Sequence, residues 1–288
     1  MIIKHLQDRV YFVQAIKEVI YNESYDGLSY DVVEEICRQF ISLYITPSVS
    51  KFIGLREPQI TFSYSPPKPR EIEGQEAYYL PKNNSIVMAI RSVHKKTSTF
   101  TGRTAGSYFN TFFLFRAIES ISHEYQHFIQ HMLVKMVAAG QPIPEEFKKW
   151  FVVETPSVVC DFKKENKEES VEFEELKNLT EIYPEMKEFV ESVDGKTFEE
   201  KLFFVIDAKY YCRADEVDAR FVAIKLLQML EESVIQTLGD EDPLSLYIME
   251  YKTRALSKEN FKLSRHEPVA RKYNEIMQKI KNPGIFGE

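Results

Sequence analysis

The chain reads as an α+β protein, mostly helical, with a small antiparallel sheet placed ahead of one long helix. Three observations predict this. Apolar residues recur at spacings of three and four over most of the chain, short strand-like stretches fall between 59 and 90, and the longest helical stripe follows them.

Taken in order, Val10, Val13, Ile16, Val19 and Ile20 keep a helical period, broken between Asn22 and Ser29. Ser29 is a plausible N-cap for a second helix carrying Val32, Val33, Ile36, Phe40 and Leu43, which Pro47 is expected to close. Gln59 to Ser65 alternates as a half-buried strand, and Pro66, Pro67 and Pro69 then forbid regular structure. Ala77-Tyr78-Tyr79-Leu80, a Pro81 to Asn84 turn and Ser85 to Ile90 read as a β-hairpin. Ser92 to Ser107, rich in Ser, Thr and Gly, reads as a mobile loop.

Asn110 opens the strongest helical signal, which runs to about Ala139 and stops at Gly140 and Pro142. Its stripe is Leu114, Ile118, Ile121, Tyr125, Phe128 and Met132. Residues 161–188 are dense in Glu and Lys and read as a solvated insertion or exposed helix. Thr197 to Glu200 is a capping-box pattern opening a helical region, with a break near Arg213, that continues to about Leu238. Two further helices are expected near 243–256 and 268–281. The organisation is therefore an N-terminal helical segment (1–55), a core (56–238) with a charged insertion, and C-terminal helices (239–288), together one compact unit.

Composition narrows the function classes. With 288 residues, 44% hydrophobic and 28% charged, the chain is neither collagen-like nor disordered, and it can bury a substantial core. A net charge of −7 argues against nucleic-acid binding through bulk charge. Cys37, Cys160 and Cys212 form no C-x-x-C pair and read as free thiols of a reducing compartment. The N-terminus breaks into Gln7, Asp8 and Arg9, and nowhere do about 18 apolar residues run together. The expectation is a cytoplasmic protein without a membrane partner.

His123-Glu124-Tyr125-Gln126-His127 is an H-E-x-x-H sequence inside the strongest helix. Residues i and i+4 project about 40° apart around a helix, so both imidazoles can share a metal. The apolar stripe centres about 200° from His123, so the pair faces away from it, with Arg116, Ser120, Gln130 and His131 on its side. Glu124 stands beside the pair, where it can deprotonate a metal-activated water. The plainer alternative is a polar helix face carrying two histidines.

A catalytic zinc takes three protein ligands and keeps one position open. His131 cannot be the third, because eight residues of helix rise about 12 Å while zinc–nitrogen bonds are about 2 Å. Gln130 and Leu133 stand where a metzincin would have Gly and a final His. Glu145 and Glu146 lie soon after the helix but are flanked by prolines. The favoured ligand is Glu216, in the acidic cluster Asp215-Glu216-Val217-Asp218 at the head of a helix with small Ala219, and Asp215 and Asp218 are its rivals. Acids in a first helical turn also favour the macrodipole without any metal. Tyr210 and Tyr211 could offer a hydroxyl to a developing oxyanion, although a structural role is the more ordinary one. His5, His94 and His266 read as surface or structural.

On these residues the chain resembles a zincin metallopeptidase of the gluzincin kind. Ser122 to Gln130 fits the family wording around the motif, and Ala77 to Met88 looks like the hairpin that precedes the active-site helix. Glu216-Val217-Asp218-Ala219, with Phe221 and Leu226-Leu227, is similar to the Glu-x-x-Ala helix of phage-type and ImmA/IrrE-like members. The resemblance covers about residues 59–235. It implies one Zn2+ per chain held by His123, His127 and Glu216, with Glu124 as general base acting on a peptide or protein substrate. The second expectation is a non-enzymatic protein of that fold, regulatory or structural, which retains the metal site.

Overall fold

The computed structural model describes residues 2–22, 27–53, 58–63, 76–162 and 169–281, and the expected irregular stretch at Pro66, Pro67 and Pro69 lies outside them. Described residues are mostly helical with one small three-stranded sheet. Contacts divide the chain into two compact units, Met1–Glu154 with Asp218–Leu256, and Thr155–Val217 with Ser257–Glu288.

In the first unit, helix α1 (Ile2–Asn22) buries Val13, Ile16 and Ile20 of the expected stripe, together with Phe12, while Val10 is exposed and Val19 half-buried. Helix α2 (Tyr30–Phe40) opens as expected, with the Ser29 hydroxyl accepting the Val32 N–H at 3.4 Å. It does not close at Pro47. A π-helical turn (Ile41–Ile45) carries it into α3 (Thr46–Ile53). The wider turn brings Phe40, Ile41, Tyr44 and Ile45 all inward, and the Phe40 and Tyr44 rings stack with centroids 4.8 Å apart. Pro47 has no N–H to return to Leu43, whose carbonyl accepts the Arg9 guanidinium at 3.3 Å instead.

Strands β1 (Gln59–Ser63), β2 (Ala77–Leu80) and β3 (Ser85–Ala89) stand in the order β1-β3-β2. The β2–β3 hairpin is antiparallel, with Tyr79 opposite Ile86, and its turn places Asn84 at φ 48°. The sheet as a whole is mixed, not antiparallel, because β1 runs parallel to β3. The expected loop after β3 is instead helix α4 (Ile90–Thr101). Thr97, Thr99 and Thr101 fold their hydroxyls back onto carbonyls one turn earlier, and Val93 and Thr97 are buried, so its Ser/Thr content does not prevent helix. Gly102, at φ 66°, ends it in the left-handed conformation.

Helix α5 (Ser107–Ala138) is the long one. Asn110 is inside it and not its cap; its side-chain oxygen accepts the Leu28 N–H at 3.2 Å. Leu114, Ile118, Ile121, Tyr125 and Phe128 are buried as predicted, but so are Glu124, Gln126, His127 and Gln130 on other faces. Short helix α6 (Glu145–Lys148) and most of helix α11 (Ala214–Leu238) complete this unit, with the start of α12 (Pro243–Lys281).

In the second unit the 161–188 stretch, expected as a solvated insertion or exposed helix, is largely helical and also contributes Leu176 and Met186 to a buried core. After α7 (Thr155–Phe162), helices α8 (Glu169–Ile182), α9 (Pro184–Ser192) and α10 (Phe198–Tyr211) surround a core of Leu176, Met186, Phe189, Val190, Leu202 and Val205 with Tyr273 and Ile276 of α12. Among the described residues, Glu174, Glu175, Lys177, Glu181, Glu185, Lys187 and Glu188 are exposed on the outside of these helices. The Thr197 capping box forms in full. The break near Arg213 separates α10 from α11, but the two expected C-terminal helices are one. Pro268 sits inside α12, where burial of Tyr273 and Ile276, about 2 kcal/mol each, offsets the interior-proline cost of about 3 kcal/mol.

Candidate metal centre

His123 and His127 project from adjacent turns of α5 with rings perpendicular at 88° and Nε2 atoms 3.0 Å apart. His127 is buried and His123 half-buried. Glu216 stands in the first turn of α11, two residues before Asp218. One ligand atom from each of His123, His127 and Glu216 lies within 4.8 Å of the others. Glu216 is 2% exposed, and its Oε1 accepts the Tyr210 hydroxyl at 2.6 Å.

Glu124 is buried at 8% exposure. Its Oε2 accepts the main-chain N–H of Tyr79 at 2.8 Å, and its Oε1 lies 3.9 Å from His123 Nε2. Tyr79 is on the edge strand β2. Its N–H turns away from β3, because Tyr78 and Leu80 face the ladder instead. The Tyr79 hydroxyl meets His131 Nδ1 at 2.8 Å and Asn84 Oδ1 at 3.3 Å, and burial pushes that hydroxyl's pKa up. His131 therefore sits on the strand that holds Glu124, outside the ligand group; burial, with Lys135 nearby, keeps its imidazole pKa low.

The rival carboxylates are committed elsewhere. Asp215 is fully buried and paired with Arg213, whose Nε and Nη2 donate at 3.1 and 2.5 Å. Asp218, also fully buried, accepts Gln126 Nε2 at 2.6 Å, Gln130 Nε2 at 3.0 Å, and the Val152 and Val153 N–H groups at 2.7 and 3.1 Å. Burial pushes its pKa up and those four donors oppose the rise. Glu145 is exposed in the first turn of α6 and bonded to Lys148. Glu146 is exposed beside it. The Asp161 carboxylate accepts the Ala214 N–H at 2.9 Å at the head of α11.

Other singled-out residues fall outside the group. Arg116 pairs with Glu76 at 2.7 Å, and Tyr211 donates to Glu259. His94 packs against Tyr30, Phe109 and Phe113, and His266 against Phe204 and Tyr211. The sequence reading gave no role to Gln126 or Trp150. Trp150 Nε1 donates to Gln126 Oε1 at 2.5 Å, joining the segment after α6 to α5. The available signal was a pair of amides one turn apart, Gln126 and Gln130, on either side of His127.

Comparison of the chain with protein-family models, with curated proteins and with solved structures finds no match. No helix among the described residues is long and apolar enough to cross a membrane.

Proposed function

We propose that the chain is a zinc-dependent hydrolase, and within that class a metallopeptidase of the gluzincin kind. One observation carries the reading: ligand atoms of His123, His127 and Glu216 converge within 4.8 Å, beside the carboxylate of Glu124. Two imidazoles and a carboxylate suit zinc, with a position left for substrate or water. Two nitrogens on one tetrahedral zinc lie about 3.3 Å apart, close to the 3.0 Å between His123 Nε2 and His127 Nε2. Zinc held there would polarise a substrate carbonyl and lower the pKa of water toward about 7.

The chain's own residues do the rest. The Tyr79 N–H steadies Glu124 at Oε2 and orients Oε1 toward the histidine side, where it takes a proton from the attacking water and passes it to the departing amine. Tyr210 holds Glu216 through its hydroxyl. A peptide substrate is favoured over a small ester because β2 is a sheet edge beside Glu124. An extended main chain laid along that edge would bring its scissile bond beside Glu124.

The bond from Tyr79 to Glu124 also supports the second reading, a protein that keeps the metal for a structural or regulatory role, since it engages one carboxylate oxygen. Glu124→Gln separates the two. The test is zinc content together with mass-spectrometric reading of cleavage in a peptide mixture. The enzyme reading expects zinc retained and cleavage down at least about 100-fold. Cleavage at the wild-type rate in the variant, or none in the zinc-loaded wild type, overturns it.

A further inference from the structure

We infer that Asp218, acting through Gln130, is a positioning residue that locks His127 into one tautomer, with the proton on Nδ1 and the Nε2 lone pair turned toward His123. The inference deepens the metal reading and takes its purpose from it, but its first test needs no metal.

Each link in the chain has one chemical solution. The two backbone groups facing Asp218, Val152 N–H and Val153 N–H, can only donate, and they take Oδ1. Gln126 and Gln130 both meet Oδ2, and a carboxylate that accepts throughout draws the NH2 end of each amide. Gln126 provides an independent check on this assignment. Its other end faces the Trp150 indole, which has a donor and no acceptor, so that end is Oε1 and the NH2 faces Asp218. Gln130, oriented by the same carboxylate, turns its Oε1 to His127 Nδ1 at 2.8 Å. An amide oxygen accepts only, so Nδ1 carries the proton and Nε2 is bare. The bare nitrogen lies 3.0 Å from His123 Nε2.

The arrangement matters because isolated neutral imidazole favours the opposite tautomer, with the proton on Nε2, and a protonated nitrogen cannot ligate a metal. All the groups from Asp218 to His127 are buried, so water cannot replace Gln130 as the partner of Nδ1 without cost. Neither Gln130 nor Asp218 is itself in the ligand group.

The experiment uses the metal-free full chain with labelled histidine and reads long-range proton–nitrogen correlations of His127 by NMR, then measures zinc affinity by chelator competition. Wild type is expected to show Nδ1–H with unprotonated Nε2. Gln130→Leu should shift His127 to the Nε2–H form and weaken zinc about 10- to 100-fold. Asp218→Asn, which removes the charge that orients Gln130, should move both readouts in the same direction. Trp150→Phe breaks the other arm of the network without touching Gln130, and should lower stability while leaving the tautomer and zinc affinity unchanged. An Nε2–H His127 in wild type, or an unaltered tautomer in a folded Gln130→Leu variant, overturns the inference. Should Gln130→Leu not fold, the wild-type spectrum and Asp218→Asn still decide it. A wild type with the expected tautomer that binds no zinc sinks the metal reading alone.

Discussion

The main-chain N–H of Tyr79 donates to Glu124 Oε2 at 2.8 Å, so the edge strand and the motif helix share one hydrogen bond at the carboxylate proposed as general base. That bond belongs to the backbone, and side-chain substitutions leave it in place.

Comparing Tyr79→Pro with Tyr79→Ala isolates it. Both lose the hydroxyl contact with His131, but only proline loses the N–H, and an edge position outside the β3 ladder tolerates proline. Proline should lower turnover of a peptide substrate at least about 10-fold below alanine while costing about 1 kcal/mol more in urea unfolding. Equal turnover in the two variants would show that Glu124 does not need the strand.

A second prediction concerns Glu76, just before β2. Arg116 Nε donates to it at 2.8 Å, Ser120 at 2.7 Å, and Lys96 lies 3.2 Å away. Burial works to raise its pKa, but Arg116, Lys96 and Ser120 outweigh burial and hold it below the ordinary carboxylate value of 4.5. A depressed folded-state pKa contributes stability that is present above the unfolded value and lost as pH falls through the folded one. Stability should therefore drop below about pH 4.5, and Glu76→Gln should flatten that limb of the profile. Arg116→Ala at pH 7 should cost about 3 kcal/mol, since it strips a buried carboxylate of its main partner. A Glu76→Gln profile parallel to wild type below pH 5 would contradict the assignment.

The capping box at the head of α10 is the cleanest local test. Thr197 Oγ1 accepts the Glu200 N–H at 3.2 Å, and Glu200 Oε2 accepts the Thr197 N–H at 3.2 Å. Thr197→Ala should destabilise the protein by about 1 kcal/mol in denaturant unfolding without changing zinc content. A change in zinc content would show that loss of the cap reaches the far end of α10, where Tyr210 donates to Glu216.

What the sequence made legible follows the range of the interaction. The Ser29 cap, the Thr197 box, the hairpin around Pro81 to Asn84 and the stripe of α5 depend on residues within a few positions of one another, and periodicity or turn chemistry exposes them. The break near Arg213 was visible for the same reason. The parallel pairing of β1 with β3 depends on a partner across a long connection. The core of Leu176, Met186, Phe189 and Val190 was hidden among Glu and Lys, because charge density dominated a weak apolar period. At the site, His123, Glu124 and His127 could be singled out from one helical turn, and Glu216 only by weighing it against its neighbours. Asp215 and Asp218 have the same chemistry and adjacent positions. Asp218 is distinguished from Glu216 by distant partners, Gln126, Gln130, Val152 and Val153, and Asp215 by its pairing with Arg213 two residues before it, a local contact that charge type alone did not single out.

The most direct test of the account is metal content of the purified chain by elemental analysis, after zinc is supplied and excess removed, in wild type beside His127→Ala and Glu216→Ala. The account predicts about one zinc per chain in wild type and a loss or marked weakening in both variants. A wild type that takes up no zinc, or variants that hold it as tightly, would contradict the His123, His127 and Glu216 centre.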